Sequence, residues 1–195
     1  MIKNFRLKSI FFVLSIILVV TQASAQNLYK TNQYEIGISI GALLSGSVDI
    51  SKTGESQTLT SKTEFMGRFF FDIVLGRKSS VGVFVNASEL AFEGDTVTVS
   101  LRDIGIMYKF RILLNKRMGI RPGIGIGYRI LNSATPIVNS GGLAVNLSLE
   151  FVYALTKDNM KLFLDTGILT QPFGRADEWD VRFGPIPYFN VGVAF

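Results

Sequence analysis

The chain has 195 residues, with 20 basic and 15 acidic side chains, no cysteine and no histidine. Without cysteine there is no disulfide framework, thiolate metal site or lipid-bearing N-terminal cysteine. Without histidine, Ser-His-Asp catalysis and histidine-ligated zinc are excluded, so no cofactor is expected and an enzyme is the least expected class.

Residues 1–25 have the three-part layout of a secretory signal peptide. Lys3, Arg6 and Lys8 open it, Ile10 to Val20 is apolar apart from Ser15, and Ala23-Ser24-Ala25 offers a small-x-small cleavage site before Gln26. A membrane-spanning helix would need about 20 apolar residues, more than this core supplies. Residues 26–195 are expected to form one domain with a net charge of +2. They contain no basic run with interleaved aromatics, so no nucleic-acid partner is expected. No later apolar run reaches helix-spanning length, which leaves strands as the means of crossing a bilayer.

Eight segments of period-two alternation follow in order. In Tyr34 to Leu44, Tyr34, Ile36, Ile38 and Ile40 share one face, and Glu35, Gly37, Ser39, Gly41 and Leu43 the other. Thr63 to Leu75 sets Phe65, Phe69, Phe71 and Ile73 against Glu64, Arg68 and Asp72. Val81 to Phe92 alternates well only as far as Ala87. The fourth is clean from Asp103, where Ile104, Ile106, Tyr108 and Phe110 oppose Asp103, Gly105, Met107 and Lys109. Upstream, Val97, Val99 and Leu101 sit on the opposite parity, which reads as a bulge or an extension beyond the membrane. Met118 to Leu131 opposes its isoleucines and Tyr128 to Arg121, Gly123, Gly125, Gly127 and Arg129. Leu143 to Leu155 opposes Leu147 and Phe151 to Asn146, Ser148 and Glu150, and Lys161 to Phe173 opposes Leu162, Leu164 and Ile168 to Asp165 and Gly167. The last segment carries Phe189, Val191, Val193 and Phe195 on one face.

Segments of about 10 alternating residues suit tilted barrel strands. The connections 76–80, 112–117 and 156–160 are short, whereas 45–62, 132–142 and 174–185 are long and rich in Ser, Thr, Asn and Gly. That asymmetry predicts periplasmic turns and external loops. A basic residue facing lipid at the bilayer midplane costs roughly 2–4 kcal/mol, so the charged face must point inward. Glu35, Glu64, Arg68, Asp72, Asp103, Lys109, Arg121, Arg129, Glu150 and Asp165 are therefore expected to pair across a filled lumen. Period-two glycines at Gly123, Gly125 and Gly127 are expected to make room for the long side chains of Arg68, Arg121 and Arg129. Tyr34, Phe71, Phe110, Tyr153 and Phe195 at one end, and Phe65, Tyr128 and Phe189 at the other, suggest two aromatic girdles.

This ordered set, closing with Phe189-Asn-Val-Gly-Val-Ala-Phe195, resembles the small outer-membrane β-barrel superfamily that includes OmpA-barrel, OmpX-type and PorT-like proteins. The resemblance implies an all-β, eight-stranded antiparallel transmembrane barrel in the outer membrane. It also implies that Phe189, Val191, Gly192, Val193 and Phe195 form the signal read by the barrel-assembly machinery. Asp177, Glu178, Trp179 and Asp180 could hold a divalent cation against lipopolysaccharide phosphates, or simply form a solvated loop. Three functions are open: a structural or adhesive role through loops 45–62 and 174–185, a PorT-like accessory role in protein export through Arg77, Lys78, Lys116 and Arg117, or a small porin-like channel. Mass spectrometry of protein isolated from Gram-negative cells should find Gln26 at the N-terminus; retained Met1 would reject the leader.

Overall fold

The computed structural model describes residues 34–76, 78–93, 98–115, 117–133, 140–155, 160–176 and 178–195. The leader expected at residues 1–25 lies outside them, as do Arg77, Lys116 and Asp177. Eleven strands form: β1 (Tyr34–Leu43), β2 (Ser47–Lys52), β3 (Glu55–Thr60), β4 (Glu64–Leu75), β5 (Ser79–Ala91), β6 (Thr98–Phe110), β7 (Ile112–Leu113), β8 (Met118–Ser133), β9 (Ser140–Ala154), β10 (Lys161–Ala176) and β11 (Trp179–Ala194). Eight of them run antiparallel in the order β1-β4-β5-β6-β8-β9-β10-β11, and β11 returns to β1 to close the barrel. The seam runs from Gly37↔Ala194 to Leu43↔Tyr188. It continues with Ile36 and Phe195, which exchange backbone hydrogen bonds of 3.1 and 2.9 Å.

Closure assigns every side chain to the lumen or the outer surface. The outward set includes Phe65, Ile106, Ile126, Tyr128, Phe173 and Phe189, all exposed, while the inward set is buried. A soluble protein rarely leaves so continuous an apolar surface bare; a hydrocarbon belt requires it. Tyr34 stacks on Phe71 at one rim with centroids 6.3 Å apart, and Tyr108 meets Phe110 edge-on at 5.0 Å.

The outer end differs from the expected loops. Residues 45–62 form a β-hairpin, β2–β3, which turns at Gly54 (φ 83°) and is raised on the barrel rim. β2 pairs with β11 from Val48↔Phe183 to Ser51↔Asp180, and a bridge between Ser61 and Phe92 ties the foot of β3 to β5. Loop 174–185 is also mostly strand, because β10 runs to Ala176 and β11 begins at Trp179. These strands have 16 residues, more than the roughly 9–11 that cross the hydrocarbon, so they continue beyond it.

The parity change near Val99 is not a bulge. The β5–β6 and β6–β8 registers run without a shift through Val99 and Leu101. Both residues point inward and are fully buried. Above the membrane the outer wall faces water and the lumen becomes an apolar core, so the sense of the alternation inverts on an unbroken strand. Leu90 on β5 and Phe92 just beyond it invert in the same way, which is why alternation fades after Ala87. Register shifts occur instead between Leu169 and Arg175 on β10, against β11, and between Thr170 and Phe173, against β9.

The inward glycines serve close approach more than arginine storage. The ring of Phe70 occupies the space a Cβ on Gly37 would need, and a Cβ on Gly125 would lie 3.0 Å from the Phe84 ring. A Cβ on Gly105 would lie 2.7 Å from Cα of Gly127, and the reverse substitution meets Gly105 equally. Gly127→Val should therefore force β6 and β8 apart and cost about 1–3 kcal/mol in detergent unfolding. Gly67→Val, where an added Cβ would have no atom nearer than 3.9 Å, should leave the transition within error; equal losses would refute this packing.

Candidate functional site: the filled lumen and the raised outer hairpin

The lumen is stacked in levels along the barrel axis. At the inner end Arg121 on β8 reaches Glu35 on β1, directly across the barrel, with Nη2 donating to Oε2 at 3.1 Å and Nη1 engaging Oε1. Lys161 on β10 donates to the same carboxylate. Lys109 on β6 bridges Asp72 on β4 and Glu150 on β9, with Nζ–O distances of 3.0 and 2.5 Å. Those two contacts are ion pairs without hydrogen-bond alignment at the carboxylate oxygens. The Lys109 ammonium also lies 3.8 Å from the centroid of the Phe70 ring, a cation–π contact that supports a desolvated charge.

At mid-depth a chain of contacts crosses the lumen from β10 to β8. Asp165 accepts from Arg68, whose Nη1 also donates to Tyr188 Oη at 3.0 Å and whose Nε donates to Asn86 Oδ1 at 2.7 Å. Asn86 Nδ2 lies 3.4 Å from Asp103 Oδ2. Asp103 in turn accepts both arms of Arg129, Nε at 2.7 Å and Nη2 at 2.9 Å. Such forked pairing is the strongest form of carboxylate–guanidinium contact.

The outer level is apolar. Leu43, Val48, Ile50, Met66, Leu90, Phe92, Val99, Leu101, Leu131, Leu169, Val181, Phe183 and Ile186 pack into one buried cluster. The Arg129 guanidinium caps it from below, 4.9 Å from the Phe183 centroid.

Nine of the ten residues expected in the interior network, Glu35, Arg68, Asp72, Asp103, Lys109, Arg121, Arg129, Glu150 and Asp165, are buried and paired in it. Glu64 is the exception. It has the inward parity, but the register sets it opposite Leu43 at the outer end, half-buried and with no side-chain partner among the described residues. Lys161 takes a place the sequence reading left empty. Its parity with Asp165 was the available signal, obscured by its position as the first residue of β10. Among the described residues the buried set is then five acids, Glu35, Asp72, Asp103, Glu150 and Asp165, against five bases, Arg68, Lys109, Arg121, Arg129 and Lys161.

Of the acidic cluster at the β10–β11 turn, Glu178 and Asp180 lie among the described residues. Glu178 pairs with Lys52 at the tip of the hairpin, and the Lys52 ammonium lies 5.8 Å from the Trp179 ring centroid. Trp179 is partly buried against the apolar plug. Asp180 is exposed and stands opposite Arg175. No group of three acidic side chains able to hold a metal ion occurs among the described residues. On β11, Phe189 and Val191 face outward, Gly192 lies beneath the Phe163 ring, Val193 is buried, and Phe195 pairs with Ile36.

No protein-family model and no curated protein matches the sequence. Solved structures do match the fold. Neisserial surface protein A aligns with a TM-score of 0.60 at 11% identity, covering 84% of this chain and 96% of that one. The outer membrane protein OprG from Pseudomonas aeruginosa aligns at 0.58 and 13% identity, covering 89% of this chain and 97% of that one. The chain has the closed antiparallel fold of the small outer-membrane β-barrels.

Removing one partner of a buried pair leaves an uncompensated charge, at a cost of about 3–5 kcal/mol. Arg129→Met should destabilise the barrel by that order in guanidinium unfolding in detergent. Adding Asp103→Leu should restore most of the loss; a double variant no more stable than the single would refute the pairing.

Proposed function

We propose that this barrel is a sealed outer-membrane scaffold that acts by interaction or adhesion through its raised outer hairpin, with its lumen given over to stability. The observation that carries this reading is the lumen itself. A neutral set of ion pairs occupies its inner half and an apolar cluster its outer half. Charges held in pairs across the barrel resist rearrangement, and an apolar constriction opposes water and ions. A porin-like role is correspondingly disfavoured.

The hairpin is built to present a surface. It is braced on β11 by backbone pairing and at its tip by the Lys52–Glu178 contact. Thr58 Oγ1 donates to Asp49 Oδ1 across it at 2.7 Å. Glu55, Ser56, Gln57 and Thr58 remain exposed. A braced surface loses little conformational entropy on binding, which favours recognition. During insertion, Phe189, Val191, Gly192, Val193 and Phe195 on the β11 edge would serve as the assembly signal before β1 pairs there.

An export accessory role is the second reading, favoured by Lys78 and Arg117, which are exposed at the inner turns. Lys78→Glu with Arg117→Glu should then impair protein secretion while the barrel still folds; unaltered export would reject that role. For the first reading, replacing residues 49–58 by Asn-Gly should preserve the heat-modifiable gel mobility of the barrel and abolish adherence of expressing cells. Stable single-channel steps from the unmodified protein in planar bilayers, or adherence unaffected by the replacement, would overturn it.

A further inference from the structure

Outside the lumen, the outer ends of β9, β10 and β11 enclose a groove of about 340 Å³ lined by Gly141, Gly142, Phe173, Gly174, Arg175, Asp180 and Arg182. The Tyr128 hydroxyl covers Gly141, while Gly142 and Gly174 have the inward parity, with the Gln171 side chain beneath them. Phe173, the most exposed of the large apolar residues among the described residues, stands at its lower edge. Arg175, Asp180 and Arg182 are all exposed. In the register Arg175 is opposite Asp180, and Arg182 is opposite Asp49 of β2.

The depth of this groove limits what can fill it. Phe173 and Tyr128, both opposite Leu143 and both exposed, mark the outer edge of the apolar belt on this wall. Arg175 lies two residues beyond Phe173, which at about 3.3 Å per residue on a strand tilted by about 40° is some 5 Å further out, at headgroup depth. Side chains there meet the phosphates and sugars of the outer leaflet. A guanidinium has five N–H donors in a planar fork, enough to serve a neighbouring carboxylate and a phosphate together. The carboxylate of Asp180, between the two arginines, can accept from a sugar hydroxyl or amide. A purely anionic ligand has no use for that acceptor, and a simple cation has none for the arginines.

We propose that this groove binds the phosphorylated amino-sugar headgroup of an outer-leaflet glycolipid. Arg175 and Arg182 hold the phosphate, Asp180 receives a hydroxyl or amide hydrogen, and Phe173 packs against the start of an acyl chain. The inference rests on the outer-membrane placement in the reading above and on the outward orientation of the β10–β11 turn, and is independent of the adhesive role of the hairpin.

The test uses the full barrel in nanodiscs with three probes: bisphosphorylated lipid A, lipid A stripped of both phosphates, and phosphatidylglycerol. Bound lipid is counted by native mass spectrometry. The unmodified protein should bind bisphosphorylated lipid A at least tenfold more tightly than either other probe. Arg175→Ala with Arg182→Ala should abolish that preference while gel mobility still reports a folded barrel. Arg102→Ala, an exposed outward arginine on β6, should leave it intact. Should the double variant fail to fold, Arg182→Gln alone carries the comparison. Equal affinity for the two lipid A forms, phosphatidylglycerol bound as tightly, or a preference that survives in the arginine variants overturns the proposal. Failure here would leave the adherence and conductance results unaffected.

Discussion

Closure of β1 on β11 is the constraint from which the rest of the structure follows. In hydrocarbon an unpaired backbone N–H or C=O has no water to turn to, so a sheet can cross a bilayer only if it has no free edge. The seam from Ile36–Phe195 to Leu43–Tyr188 removes that edge. Once it exists, inside and outside are fixed for every residue, and period-two alternation becomes a decision about solvent. The isoleucines and phenylalanines of the belt face lipid because the other parity carries charges that lipid will not accept.

A closed wall of eight strands leaves a lumen that side chains can fill. Filling it with charges works only when they are matched, since desolvation otherwise exceeds the Coulombic gain. Asp103 and Arg129 match between neighbouring strands, and the other matches reach across the barrel. Glu35 meets Arg121 on the facing wall, Lys109 spans from Asp72 to Glu150, and Arg68 reaches Asp165. These contacts act as struts between opposite walls. Glycines such as Gly105 and Gly127 let adjacent strands approach where any larger residue would separate them.

The barrel also passes through more than one solvent, and its core changes character accordingly. Within the bilayer the wall is apolar outside and ionic inside. Beyond the bilayer the wall is wetted, and Leu90, Phe92, Val99, Leu101, Val181 and Phe183 turn inward to form an ordinary hydrophobic core. That core anchors β2–β3, so the hairpin is an extension of the barrel wall. A lumen closed at both levels leaves the rims as the surfaces on which recognition can occur, and Arg175, Asp180 and Arg182 sit on one of them.

The sequence alone determined the eight barrel strands, their alternation, the inward direction of the charges and hence the fold class, because these follow from local periodicity and the cost of placing charge in lipid. Nine of the ten lumenal charges were legible in the same way. Glu64 and Lys161 were not, because parity fixes the face of a residue but not its height, and height depends on the register between strands distant in the chain. The tertiary structure alone decided which acid meets which base. It also decided between the two expectations for the switch near Val99, removing the bulge and leaving the extension beyond the membrane, and showed that residues 45–62 are a braced hairpin. Each of these depends on neighbours brought together by closure, and no local pattern encodes which wall a side chain will face across the lumen.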